Sequence, residues 1–95
     1  MGRRNYVPDS DWLDENQITY FGDMGERGMK YVRNGKQVLI YGTIRSEEGF
    51  DVYYRDLRDV SVKTGGKEGT EEVSGDDSSK PSEIIQRALE KLLIL

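Results

Sequence analysis

Seven side chains in the middle of the chain, Lys30, Lys36, Tyr41, Arg45, Tyr53, Arg55 and Arg58, interleave positive charge with aromatic rings. Guanidinium and ammonium groups neutralise phosphate, and flat tyrosine rings stack on bases. The set therefore suits single-stranded nucleic acid or a small phosphorylated ligand. The same residue types serve a plainer purpose where cross-strand aromatic and ion pairs hold a sheet together.

Other chemistry is thin. The chain has no histidine and no cysteine, which removes the commonest general base near neutral pH, the thiolate nucleophile and zinc sites of the usual nitrogen and sulfur type. Carboxylates are plentiful but lie mainly in surface or linker-like segments, so no pair can be assigned to one pocket. No catalytic residue, cofactor or enzymatic reaction is expected. Asp9, Asp11 and Asp14 invite a calcium reading, yet Trp12 and Leu13 interrupt the alternation of oxygen ligands that such a loop requires. No metal site is expected there. The Gly22–Gly28 stretch joins one strand to another rather than a strand to a helix, and no Lys-Ser or Lys-Thr closes it, so it does not read as a phosphate loop.

The elements that must carry these residues are strands. From Met29 to Lys63, β-branched and aromatic runs alternate with turn residues, the signature of consecutive hairpins. Asn34-Gly35 marks a two-residue turn with positive φ at both positions, pairing Arg33 with Lys36, Tyr31 with Val38 and Met29 with Ile40. The Ser46–Gly49 connection leaves the next register open. Ile44 opposite Phe50, with Gly49 as a positive-φ bulge, keeps Asp51 out of the core and is the expected pairing. The core face then comprises Met29, Tyr31, Val38, Ile40, Ile44, Phe50, Val52 and Tyr54, continued by Val60 and Val62 after a bend near Leu57. Lys30, Val32, Leu39, Tyr41, Tyr53 and Arg55 occupy the other face. The run Val38–Tyr41 is apolar on both sides, which predicts a central strand with a second layer partly covering it.

Upstream, Pro8–Glu15 predicts a helical turn whose Trp12 and Leu13 plug one end of the sheet, and Ile18–Phe21 predicts a short strand. Met1–Asn5, with Arg3 and Arg4, reads as a frayed terminus. Downstream, Thr64–Lys80 is Gly, Ser and acid with a single apolar residue, Val73, and reads as a flexible linker. Pro81–Leu95 then carries Ile84, Ile85, Ala88, Leu89, Leu92, Leu93 and Leu95 at helical spacing, with Ser79 as the expected cap and Pro81 in the first turn. A helix this short must pack on something, either its own sheet or a second chain through an interface of Ile85, Leu89, Leu92 and Leu93.

The expected fold is thus α+β and β-rich: a small bent antiparallel sheet or barrel of four to five strands, a short N-terminal helical turn and a C-terminal amphipathic helix. Its divisions are residues 1–63 for the β-rich domain, 64–80 for the linker and 81–95 for the helix. Ninety-five residues at 35% apolar content and a mean hydropathy of -0.76 leave a marginal core, which favours oligomerisation or docking. The net charge of -4 is uneven. Residues 27–63 carry eight bases and five acids, between two acidic segments. The absence of cysteine, of a bilayer-length apolar run and of a signal-peptide pattern points to a soluble, cytoplasmic protein without a membrane partner.

Two stretches resemble known families. Ser82–Leu89 resembles the second helix of ribbon-helix-helix DNA-binding proteins, although no amphipathic helix precedes it. Gly42-Thr43-Ile44 followed by Phe50–Asp56 resembles the first motif of Sm-like proteins, with one loop residue fewer. In that resemblance Asp51 stands near an RNA base pocket, but the family's second motif is absent. It implies a small, strongly bent antiparallel sheet or barrel and nothing firmer about function.

The residues and composition together point to a small non-enzymatic interaction module, an accessory or inhibitory protein acting by protein binding or self-assembly. Compact, cysteine-free chains patterned in charge like this one include viral accessory proteins. Nucleic-acid binding on the sheet and capture of a phosphorylated ligand are the alternatives.

Overall fold

The computed structural model describes residues 6–23, 28–57 and 67–95. Helix α1 (Ser10–Glu15) is followed by strands β1 (Thr19–Asp23), β2 (Met29–Arg33), β3 (Lys36–Arg45), β4 (Gly49–Asp56) and β5 (Lys67–Ser74), then helix α2 (Pro81–Leu89). A π-helical turn, Glu90–Ile94, extends α2. The strands form one antiparallel meander in the order β1-β2-β3-β4-β5, with β3 central. Both edges stay distinct strands, so the sheet is open rather than a closed barrel.

The Asn-Gly turn forms as its residues dictate. Asn34 and Gly35 adopt φ of 50° and 82°, matching the twist of the flanking strands. Arg33 pairs with Lys36, Tyr31 with Val38 and Met29 with Ile40. Gly28 enters β2 at φ 95°, where an added Cβ would run into the Ile40 carbonyl.

The second hairpin departs from expectation. Arg45, not Ile44, lies opposite Phe50, and Ile44 faces Asp51. Gly49 takes no positive φ; it serves instead as a gap through which β5 approaches, since a Cβ there would strike the Val73 carbonyl. The extra residue sits further along, where the pairing shifts between Ile40 and Gly42 and leaves Tyr41 bulged. A bulge exchanges the faces of everything beyond it. Val38 and Ile40 therefore point into the core, Thr43 takes the inward position opposite Val52, and Ile44 turns outward to 55% exposure. Asp51 turns outward with it, which removes the penalty that made this register look unfavourable. Of the expected core, Met29, Tyr31, Val38, Ile40 and Val52 are buried, and Phe50 and Tyr54 pack half-buried against them. Ile44 is the correction; Val60 and Val62 lie outside the described residues.

The supposed linker is the second correction. Lys67–Ser74 is strand β5, paired with β4 along its full length from Asp56–Lys67 to Gly49–Ser74. Burial contributes little beyond Val73. The strand is held by its backbone ladder and by cross-strand pairs such as Arg55–Glu68 at 2.8 Å. Gly69 leaves room for the Tyr54 ring, which an added Cβ would strike. The sheet thus runs past residue 63 to Ser74.

All described helices lie on one face. α1 ends in a Schellman arrangement: the Ile18 N–H donates to the Leu13 carbonyl at 2.9 Å and the Gln17 N–H to Asp14 at 3.1 Å, with Gln17 at φ 60°. Leu13 and Ile18 are both buried in the core. Arg33 joins the two helical segments beneath the sheet, donating to the carbonyls of Asn16 at 2.8 Å and Leu93 at 3.3 Å.

Helix α2 starts from Lys80, whose N–H donates to Glu83 Oε1 at 2.9 Å. Ser79, the expected cap, is engaged elsewhere; its Oγ accepts from the Asp76 N–H at 3.0 Å. Ile84, Ile85, Ala88, Leu89 and Leu93 are buried against the sheet. The helix therefore docks on its own chain. Ile85, Leu89 and Leu93 are unavailable as an interface with another protomer, and Leu92 is half-buried against the same core.

Candidate interaction surface on the open sheet face

With the helices on one side, the opposite face of the sheet carries no covering element among the described residues. Among the described residues no second layer covers Val38–Tyr41, contrary to expectation, although Leu39 within that run is buried. Strand alternation places Thr19 and Phe21 (β1), Lys30 and Val32 (β2), Leu39 and Ile44 (β3), Asp51, Tyr53 and Arg55 (β4), and Glu68, Thr70 and Glu72 (β5) on this face. Phe21 at 58%, Ile44 at 55% and Tyr53 at 38% exposure are large apolar or aromatic side chains left in water. Leu39, at 8%, forms the floor between Lys30 and Arg55.

The basic and aromatic residues singled out from the sequence divide between the two faces. Lys30, Tyr41, Tyr53 and Arg55 share the open face. The Lys30 ammonium sits 5.4 Å from the Phe21 ring centroid, a cation–π contact. Arg55 hydrogen-bonds Glu68 Oε2 at 2.8 Å. That bond, together with the nearby Tyr41 hydroxyl, raises the Arg55 guanidinium further above its ordinary range. Lys36 is at the hairpin end opposite Arg33, on the parity of the helical side.

Arg45 also belongs to the helical side. Its guanidinium lies over Phe50 at 5.0 Å, donates to the carbonyls of Gly49 (3.2 Å) and Gly75 (3.0 Å), and pairs with Asp77 at 3.5 Å. It ties the second hairpin to the connection before α2. Arg58 lies outside the described residues. The structure thus brings together four of the seven and sets Glu68, Asp51 and Glu72 among them.

Sequence reading missed Phe21 and Ile44 as surface residues, and assigned the acids of β5 to a linker rather than to this face. The alternation Thr19, Phe21 signals the first. The position of Ile44 depends on a bulge at Tyr41, for which Gly42, a glycine inside the strand, is the one signal in the sequence.

A second concavity, of about 510 Å³, runs beside the C-terminal helix and is lined by Asn16, Val73, Arg87, Glu90, Lys91 and Leu95, among others. Its cations already have work. Arg87 donates to the Ser74 carbonyl and Lys91 to the Glu72 carbonyl, both at 2.8 Å. Four residues of helix rise about 6 Å and two of strand about 6.8 Å, so the two side chains match successive outward carbonyls of β5. They close that edge of the sheet. The open face is the better candidate.

No group of three or more acidic side chains among the described residues is placed to hold a metal ion. No described helix is long and apolar enough to cross a membrane. Comparison with known proteins finds no matching family model, no matching curated protein and no matching solved structure.

Proposed function

We propose that this chain is a small non-enzymatic interaction module that binds protein through the open face of its sheet. One observation carries the reading: Phe21, Ile44 and Tyr53 stand exposed, interspersed with charged residues, on a face without a covering element among the described residues. Exposed apolar side chains grouped within a polar rim are the anatomy of a docking surface. Tyr53 and Ile44 sit on neighbouring strands one outward row apart, about 5 Å across and about 7 Å along the sheet, with Phe21 on the edge strand β1.

Single-stranded nucleic acid would use Tyr41, Tyr53, Lys30 and Arg55, which share this face. Asp51, Glu68 and Glu72 weigh against it, because carboxylates interspersed with the two bases repel a phosphate chain.

The test is photo-cross-linking in cells that produce the full chain. A photoreactive amino acid in place of Ile44 is expected to give protein adducts, while the same group in place of exposed Ser78 is not. Absence of any protein adduct at position 44, or binding of a single-stranded oligonucleotide that falls steeply with salt, would overturn the reading.

A further inference from the structure

On the strength of that reading, we infer that the open face binds a second copy of this chain in a two-fold, face-to-face dimer centred on Tyr53. The observation is a symmetry in how β3 and β4 pair. Three outward-facing rows cross these strands: Leu39 beside Arg55, Gly42 beside Tyr53, and Ile44 beside Asp51. The outer two rows lie about 7 Å on either side of the middle one. Each joins one aliphatic side chain on β3 to one charged side chain on β4, and the charges are opposite.

Consider a two-fold axis between two such faces, running across the strands along the Gly42–Tyr53 row. It lays β3 on β3 and β4 on β4 with their directions reversed. Ile44 of each copy then lies over the buried Leu39 floor of the other, between Lys30 and Arg55, twice. Arg55 meets Asp51 of the second copy, also twice. Tyr53 meets its own symmetry mate, and beside it Gly42 leaves open space, since an added Cβ there meets nothing within 4 Å. Sheets packed this way align to within about 30° at a spacing of about 10 Å, which side chains of this size fill. The Tyr41 bulge creates the match. Without it Ile44 would point into the core and the outer row of β3 would be broken.

A heterologous protein need not reproduce this pattern, whereas self-complementarity under a two-fold axis is the requirement of an isologous dimer. β5 lies outside the match. There Glu68 would face Glu72 of the second copy, like charge on like, so the wild-type dimer is held by β3 and β4 and weakened at its rim.

Sedimentation equilibrium of the full chain tests this. The wild type is expected to pass from monomer to dimer with rising concentration. Arg55→Asp and Asp51→Arg each create like-charge contacts and should weaken association at least about tenfold. An equimolar mixture of the two variants should recover the dimer, because each new acid then faces a new base. Glu72→Lys should tighten it by placing opposite charges at the rim. Far-UV circular dichroism checks that each variant is folded, and Ile44→Asp provides a further disrupting variant that touches neither ion pair. A wild type that stays monomeric, single reversals that leave the dimer intact, or a mixture that fails to recover it would each overturn the inference. A monomer whose position 44 still cross-links to other proteins would sink the dimer alone. A monomer with no cross-link would sink the interaction reading as well.

Discussion

Single residues show where local chemistry decides the shape. Gln17 closes α1 with φ of 60°, a conformation that costs a residue with a Cβ about 1–2 kcal/mol. Glycine avoids that cost but loses more entropy on folding. Gln17→Gly is therefore expected to stabilise the chain by about 0.5–1 kcal/mol, read as a higher urea midpoint at unchanged slope.

Asp76 is the local acid with a depressed pKa. Hydrogen bonds from the Ser78 hydroxyl at 2.7 Å and the Ser78 N–H at 2.9 Å favour its charged form. A folded-state pKa below the unfolded value means stability that is present above the ordinary carboxylate range. It is lost as pH falls through the folded value. Asp76→Ala should thus be less stable than wild type near neutrality, with the gap narrowing on acidification. Urea titrations at a series of pH values measure it, and a gap that widens in acid would contradict the account. Tyr31 shows burial acting in the opposite sense. Loss of water, with Tyr20 beside it at 5.2 Å between ring centroids, pushes its phenol well above the ordinary range.

At the scale of elements, the helical lid supplies the core that the strands cannot complete alone. Leu89 is fully buried between α2 and the sheet, so Leu89→Ala should cost about 2–5 kcal/mol in a chemical denaturation series. The cost should appear as lost stability rather than as a lower solution mass, because this residue packs within its own chain. The first hairpin and the lid were legible in advance. Asn34-Gly35 sets a register by backbone geometry alone, and the aliphatic spacing of Ile85, Leu89 and Leu93 needs no partner to be read.

Two features were not legible. Strand β5 has one buried apolar side chain, Val73, and its composition resembles a linker; what makes it a strand is the free edge of β4, a tertiary circumstance that no local propensity records. The Tyr41 bulge is marked only by Gly42 inside the strand, a weaker signal than the hydrophobic pattern, which carried Ile44 to the wrong side. Of the candidate site, Lys30, Tyr41, Tyr53 and Arg55 were placed together correctly by alternation. Arg45 lies beyond the bulge and went to the other face for the same reason that Ile44 did.

At the scale of the whole molecule, the described residues form two layers, with helices on one side of the sheet only. Helices cover the aliphatic face, Arg87 and Lys91 close the β5 edge, and on the outward rows of β3 and β4 Ile44 and Tyr53 stand exposed among charges, with no described element over them. A core this small gains from any partner that buries those rows, since binding to the folded state alone raises its apparent stability. The most direct measurement uses the absence of cysteine: single thiols introduced as Ile44→Cys and Ile40→Cys, labelled with a maleimide under native conditions. In dilute solution the thiol at 44 should react nearly as fast as a free thiol, slowing as protein concentration rises. The thiol at 40 should react only through unfolding. Equal protection at the two positions, or faster labelling at 40, would contradict the exchange of faces at Tyr41 and the open surface built on it.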